Sequence, residues 1–392
     1  MQRSRIFVFI ILLVLSVGSI IYFSSTDKNE KVFSDSSDST YSLASQKDSN
    51  NISISESRQT IITKTVKKVS PAVVGINVTE IRQYRDPFGS FFDDPFFRQF
   101  FGNRGNYNQK IKGLGSGFII SPDGYIVTND HVAGNATEIT VTMTNGKQYP
   151  AKVVGTDAAS DICLLKVDAD NLPYEILGNS NNVMIGEWVI ALGNPFGLFE
   201  INDKPTVTVG VISSTGMNLE PLENRYYLNM LQTDAAINGG NSGGPLVNSV
   251  GEVIGMNTLI YSPNGSGGNI GLSFAIPINK MKRIITELKQ KGSIDRDFDV
   301  GFKIQSIDEG IAEYYKLPTS KGVIITYIAS GSPADKAGLK VGDIIQEVNK
   351  YKISNENTLI SVFQEFRVGQ TITLKIIRDD KEMEKKMTLD KR

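Results

Sequence analysis

The spacing of apolar positions divides this chain into stretches of different character. Ile6 to Phe23 is apolar except for Ser16, Gly18 and Ser19, with Arg3 and Arg5 before it and Asp27, Lys28 and Glu30 after it. That length just crosses a bilayer, and the arginines favour a cytoplasmic N-terminus, so residues 1–23 are expected to be a short tip and a single-pass membrane anchor. A cleaved signal peptide is the alternative, but Ile20-Ile21-Tyr22-Phe23 offers no small-x-small cleavage site. Residues 24–58 are rich in Ser, Asp, Asn and Lys and cannot bury enough surface to offset their ordering entropy, so they read as a flexible polar linker.

From Ile61 onward short apolar runs alternate with turn signals. Val73 to Val78 reads as a strand. Gly115 to Ser121 and Tyr125 to Asn129 flank Pro122-Asp123-Gly124, and Asn145-Gly146 separates Ile139–Met143 from Gln148–Val154, both hairpin signals. Ile162 to Val167, the run containing Trp188, and Val207 to Ser213 add further strands, with Trp188 expected in the core. Many short strands with almost no helical period predict a pair of β-barrels over residues 59–292. Ile278 to Lys291 is the exception: Ile278, Met281, Ile284, Ile285 and Leu288 share one helical face, and Gly292 ends it. After a polar linker at 293–297, a second domain at 297–390 is expected. In it Gly322–Ile328 reads as a strand, Ser332-Pro333 to Gly338-Leu339 as a short capped helix, and Gly342-Asp343-Ile344-Ile345 as turn and strand. Tyr84 to Tyr107 carries many phenylalanines with neither strand nor helix period, which argues against a core element.

The chemistry gathers around Gly239-Gly240-Asn241-Ser242-Gly243-Gly244-Pro245. A serine between glycines can expose its hydroxyl on a tight turn while backbone N–H groups converge on one point, which an acyl-transfer nucleophile needs; an ordinary glycine-rich turn is the plain alternative. Upstream lie Thr128-Asn129-Asp130-His131-Val132, with the only histidine of the chain, and Ser160-Asp161-Ile162. The order His, Asp, Ser is one of three unrelated chain orders in which a catalytic triad occurs. Gly113, Gly115 and Gly117 are followed by a strand rather than a helix, and no Gly-Lys-Ser/Thr occurs, so a phosphate loop is excluded.

Composition removes other classes. With 41 basic and 42 acidic residues there is no basic surplus to suggest nucleic acid as a partner. One cysteine, Cys163, allows no intramolecular disulfide and sits in an apolar run where a buried side chain is expected. A single histidine and a single cysteine do not make the usual zinc ligand set, and no metal or other cofactor is expected.

The three triad segments together resemble the trypsin-like HtrA (Deg) family of serine proteases over roughly residues 60–390. The resemblance implies a mostly β fold: a trypsin-like double β-barrel protease domain followed by an α+β PDZ domain, behind an N-terminal transmembrane helix. It implies His131, Asp161 and Ser242 as catalytic residues, with the backbone of Gly240, Asn241 and Ser242 as the oxyanion hole. Ile270, Gly271, Leu272 and Ser273 match the segment lining the specificity pocket. No acidic residue stands there, so a small or medium aliphatic P1 side chain is expected. Asp299-Val300-Gly301-Phe302 matches the PDZ carboxylate-binding loop, with Val300, Gly301 and Phe302 receiving C-terminal peptides against a helix near Thr358 to Phe363. Residues 84–107 match the family's regulatory loop, and Ser214 to Tyr227 the loop that senses the PDZ domain.

The expected activity is ATP-independent endoproteolysis of unfolded extracytoplasmic proteins by a homotrimer or larger homo-oligomer, held at the inner membrane with its catalytic part in the periplasm. A soluble periplasmic protein would follow from signal-peptide cleavage. A chaperone or PDZ scaffold on a protease fold, and a regulatory protease for envelope stress, are the alternatives. Asp130 departs from the family, whose members more often carry a neutral residue there, and a charge beside the base shifts its pKa.

Overall fold

The computed structural model describes residues 58–82, 109–194, 199, 203–260, 271–317 and 319–392. The anchor, nearly all of the polar linker, the aromatic stretch at 84–107 and Ile270 lie outside the described residues. Among the described residues no helix is long and apolar enough to cross a membrane.

Helix α1 (Ile61–Val69) starts the folded part, capped by reciprocal bonds between Thr60 and Thr63: the Thr60 N–H donates to Thr63 Oγ1 at 2.9 Å and the Thr63 N–H to Thr60 Oγ1 at 3.3 Å. Six strands then form a closed barrel: β1 (Val73–Arg82), β2 (Gln109–Ile119), β3 (Tyr125–Thr128), β4 (Glu138–Met143), β5 (Gln148–Asp157) and β6 (Ile162–Val167), in the order β1-β2-β3-β6-β5-β4. The short helix α2 (Asp130–Ala133) interrupts it directly after β3. Alternation explains the closure, since Val74, Ile76, Ile126, Val141 and Leu165 all point into one core of the barrel.

The second sheet comprises β7 (Ile176–Leu177), β8 (Trp188–Gly193), β9 (Thr206–Met217), β10 (Met230–Thr233), β11 (Pro245–Asn248), β12 (Glu252–Ile260) and β13 (Ser273–Pro277). Its order is β11-β8-β9-β10-β13-β12-β7, and a further pairing of β11 with β12 joins the ends of the circuit. Two barrels are thus present as the turn spacing predicted. Trp188 departs from expectation: it opens β8 and is 54 % exposed, because the strand enters the sheet there and only the following Val189 to Gly193 are buried. The stretch expected as a loop from Ser214 also begins later, since β9 continues to Met217.

Helix α3 (Ile278–Lys291) lies where the 3.6-residue period placed it, with Gly292 at its end in the left-handed region, φ 74°. Ile278, Met281, Ile284, Ile285 and Leu288 are all buried on a core shared with Phe118, Ile162, Ile190 and Met256, so the helix covers residues of both sheets. Each such side chain contributes roughly 1.5–3 kcal/mol by leaving water.

The last domain contains β14 (Phe302–Ser306), α4 (Glu309–Tyr314), β15 (Val323–Ile328), α5 (Pro333–Lys336), β16 (Ile344–Val348), β17 (Tyr351–Lys352), α6 (Glu356–Phe363), β18 (Thr371–Arg378) and β19 (Lys381–Thr388). The sheet runs β14-β15-β16-β18-β19, which leaves β14 at an edge beside α6. The Ser332 hydroxyl caps α5 and Pro333 opens it, as the sequence indicated. Leu228 of the protease segment is buried in the core cluster of this domain with Val323, Val362 and Leu374. The polar linker is fastened too. Arg296 forms a fork on Asp157 at 2.6 and 2.8 Å, and its Nε donates to the Gln364 carbonyl at 2.6 Å.

Candidate active site

β3 ends at Thr128, whose hydroxyl donates to the Ser116 carbonyl at 2.7 Å and fixes where the chain turns into α2. His131 follows within that first turn. Across from it, Ala158–Ser160 makes a single 3-10 turn that ends at Asp161 in the left-handed region, φ 57° and ψ 44°. Asp is among the few side chains that visit this region routinely, and the turn directs its carboxylate inward, where it is fully buried.

That carboxylate meets His131 twice. The His131 ring Nδ1 lies 2.8 Å from Asp161 Oδ2, and the His131 backbone N–H donates to Oδ1 at 3.0 Å. Asn129 Nδ2 donates to Oδ2 at 3.2 Å and to the Asp161 carbonyl at 3.0 Å. Two residues from the loop between β9 and β10 complete the set: the Tyr227 hydroxyl donates to Oδ2 at 3.2 Å and Arg225 Nε to Oδ1 at 3.3 Å. An imidazole held at Nδ1 by a carboxylate keeps Nε2 as the acceptor, the tautomer a general base requires.

Ser242 stands on a loop built by contacts to β2. The Ser116 N–H donates to the Ser242 carbonyl at 2.9 Å and the Ser116 hydroxyl to the Gly240 carbonyl at 2.5 Å. Gly240 has φ 91° and Gly243 φ 85°, and a Cβ at Gly243 would sit 2.2 Å from the Ser116 carbonyl oxygen, so no other residue fits there. Among the described residues the N–H groups of Gly240 and Ser242 have no acceptor. The Ser242 hydroxyl donates to the Thr258 carbonyl at 3.2 Å. The Asn241 N–H and carbonyl serve the turn at 3.0 Å each, while its side-chain amide is buried without a partner among the described residues.

Of the pocket segment, Gly271 has φ 83°, Leu272 is half-buried, and the Ser273 hydroxyl in β13 accepts from the Ile237 N–H at 3.4 Å. In the last domain the Val300 and Gly301 carbonyls are engaged by Ala334 and Ala329 at 3.2 and 2.8 Å, and Phe302 opens β14 with its ring 6.1 Å from that of Phe363 on α6. One detail differs from expectation. The Gly301 N–H already donates to the Asp299 carboxylate at 2.9 Å, so Asp299 occupies a donor that a peptide carboxylate would use.

Electrostatics follow from burial. The Arg225 guanidinium is held above its ordinary range: burial acts to lower it, and Asp161 and Asp130 together outweigh burial. Burial, with Asp161 beside it, pushes the Tyr227 hydroxyl far above the usual tyrosine range, so it stays a neutral donor. Burial pushes the Cys163 thiol up to about 12, which leaves it inert. Among the described residues no group of three or more His, Cys, Asp or Glu could hold a metal ion.

Sequence reasoning did not find Asn129, Arg225, Tyr227, Ser116 or Thr258 as neighbours of the site. Asn129 lay inside the histidine segment, but the others reach the site only through barrel closure or through the loop ending at Tyr227, which was expected to sense the PDZ domain rather than to touch Asp161.

Residues 115–256 match the trypsin-like peptidase domain and residues 298–389 the PDZ domain. The probable periplasmic serine endoprotease DegP-like of Chlamydia pneumoniae is 42 % identical over 341 residues, covering 83 % of this chain and 68 % of that protein. Its counterpart in Hahella chejuensis is 42 % identical over 329 residues, covering 81 % of this chain and 67 % of the relative. Among solved structures, the HtrA-type protease AlgW with a decapeptide matches with TM-score 0.63 and 33 % identity, covering 85 % of this chain and 99 % of that one. The serine endoprotease from Yersinia pestis matches at TM-score 0.55 and 31 % identity, covering 85 % and 98 %. A trypsin-like double barrel joined to a PDZ domain, with these relatives, means that the chain belongs to the HtrA/DegP family of serine endoproteases.

Proposed function

We propose that this endoprotease uses His131, Asp161 and Ser242 as its triad to cut unfolded proteins outside the cytoplasm. The observation that carries the reading is the buried Asp161 carboxylate 2.8 Å from His131 Nδ1, which leaves Nε2 free of that bond on the side of the ring away from Asp161. His131 takes the Ser242 proton as Oγ attacks the scissile carbonyl, and returns it to the leaving amine. Asp161 stabilises the imidazolium that forms between the two steps. The N–H groups of Gly240 and Ser242 receive the developing oxyanion, and each such donor is worth about 3 kcal/mol in the transition state. The Ser242 hydroxyl is bonded to the Thr258 carbonyl in the structure, so the attack requires it to leave that bond for His131.

No nucleotide-binding motif is present to drive unfolding, so substrates must already expose extended segments, and the neutral Gly271-Leu272-Ser273 segment suits a small or medium aliphatic P1 residue. C-terminal peptides add a strand at the β14 edge, with α6 as the opposite wall. The apolar segment at 6–23 anchors the chain, the catalytic part lies on the periplasmic side, and the working form is a homotrimer or larger assembly. The names of the relatives support the periplasmic setting. Digestion of casein by the full chain, beside its Ser242→Ala variant, tests the chemistry. Loss of cleavage in the variant is expected, and equal cleavage by both would overturn the assignment.

A further inference from the structure

Asp130 is a carboxylate on the residue next to the base, and the structure gives it a partner. Arg225 Nη2 lies 2.9 Å from Asp130 Oδ2, and its Nε lies 3.3 Å from Asp161 Oδ1. The three side chains are nearly sealed from water, with Asp161, Asp130 and Arg225 exposed by 0, 5 and 6 %. The backbone delivers the arginine with little freedom. Leu222-Glu223-Asn224-Arg225 is a tight turn with both central residues at positive φ, 50° and 63°, closed by bonds of 3.0 and 2.8 Å between Leu222 and Arg225. The Tyr226 N–H then donates to the Ala159 carbonyl at 2.9 Å, which ties the loop to the turn that presents Asp161.

We propose that Arg225 is a positioning residue of this protease that balances the Asp130–Asp161 carboxylate pair around His131, and so sets the pH at which His131 becomes a free base. The inference rests on the triad assignment above. Around the imidazole, α2 supplies Asp130, whose Oδ1 also accepts from Thr156 of β5. The turn before β6 supplies Asp161. β6 adds Cys163, neutral because burial raises its thiol to about 12. The loop adds Tyr227, a neutral donor, and Arg225, whose Nη1 lies 3.8 Å from Glu223. Asp157 at the end of β5 is taken up by Arg296. Among the described residues, the charges joined directly through Arg225 at hydrogen-bond distance are Asp130 and Asp161, with Glu223 further off at 3.8 Å.

Removing Arg225 leaves both carboxylates uncompensated, favours the imidazolium and moves the acid limb of kcat/KM to higher pH. Removing the Asp130 charge does the opposite. Removing both restores the original balance.

The test is the pH profile of kcat/KM for the full chain in detergent, with a fluorogenic peptide, in wild type, Asp130→Asn, Arg225→Met, the double variant, Arg225→Lys and His131→Ala. The acid limb is expected at lowest pH in Asp130→Asn, at highest in Arg225→Met, about 0.5–1 unit above wild type, and near wild type in the double variant. Arg225→Lys keeps the charge without the fork, so its limb stays in place while kcat falls on the order of tenfold. If Arg225→Met does not fold, the double variant against Asp130→Asn decides: a limb at higher pH in the double supports the inference, and coincident limbs overturn it. Activity in His131→Ala would overturn the triad reading itself. An inactive His131→Ala with coincident limbs elsewhere would overturn only the role of Arg225.

Discussion

Asp161 accepts from the His131 amide and ring, Asn129, Tyr227 and Arg225, so its carboxylate is oriented from several sides at once. Asp161→Asn would present an amide N–H toward Nδ1 or force the other tautomer, and kcat is expected to fall by about 10⁴ with the fold retained, read by peptide hydrolysis. Glu175 is the opposite case, a carboxyl 4 % exposed whose Oε1 has no partner among the described residues. Burial pushes it up to about 8 from 4.5, with Lys68 opposing. The folded protein thus keeps a proton that the unfolded chain releases, so this contribution to stability is present below pH 4.5 and is lost as pH rises toward 8. Glu175→Gln should raise the unfolding free energy read from urea titration at pH 8.5 by on the order of 2 kcal/mol, and change it little at pH 4.5. An equal gain at both pH values would mean that the carboxyl does not titrate in this way.

At the scale of elements, α3 and the strands of the first barrel were legible because periods of 3.6 and 2 are local properties of the chain, and Gly292 punctuates the helix by itself. The glycine-rich loop around Ser242 was legible for the same reason: its glycines meet φ values and close backbone approaches that other residues cannot. The loop between β9 and β10 was legible only through the family resemblance, as a loop that senses the PDZ domain, and its contacts with Asp161 were not, because they come from the partners it meets. Arg225 and Tyr227 gain meaning only when the turn at Glu223-Asn224 folds them onto Asp161, a contact distant in sequence. Trp188 misled for a related reason, since an aromatic at a strand's first position can lie outside the sheet's cover. Arg296 was read as part of a polar linker and proves to be a clamp, bonded to Asp157 and Ser160 just ahead of Asp161 and to the end of α6. Arg296→Met leaves the buried Asp157 without its fork. The expected result is faster proteolytic nicking in the 293–297 linker and kcat reduced severalfold, with the acid limb of the profile unmoved because the triad charges are intact.

At the scale of the whole molecule, one helix faces two tasks. α6 lies beside the β14 edge, where the proposed peptide would enter, and its flanks are also fastened to the protease: Asn357 donates to Glu220 at 2.8 Å, Glu365 pairs with Lys280, and Arg367 lies 2.9 Å from Glu287. Glu220 belongs to the same loop that carries Arg225 to Asp161 and buries Leu228 in the core of the last domain. A peptide that entered between β14 and α6 would meet Phe363, whose ring sits 6.1 Å from Phe302, and a movement of α6 would reach that loop through Asn357 and Leu228. Peptides ending in an apolar residue and a free carboxylate are therefore expected to change kcat/KM of the full chain toward an unrelated reporter substrate, while their amidated forms are inert. Asn357→Ala with Leu228→Ala should bind the same peptides and respond less. Binding is read by fluorescence anisotropy and coupling by the ratio of rates with and without peptide. Saturating occupancy with no change in rate would show that the two domains share a surface without sharing a response.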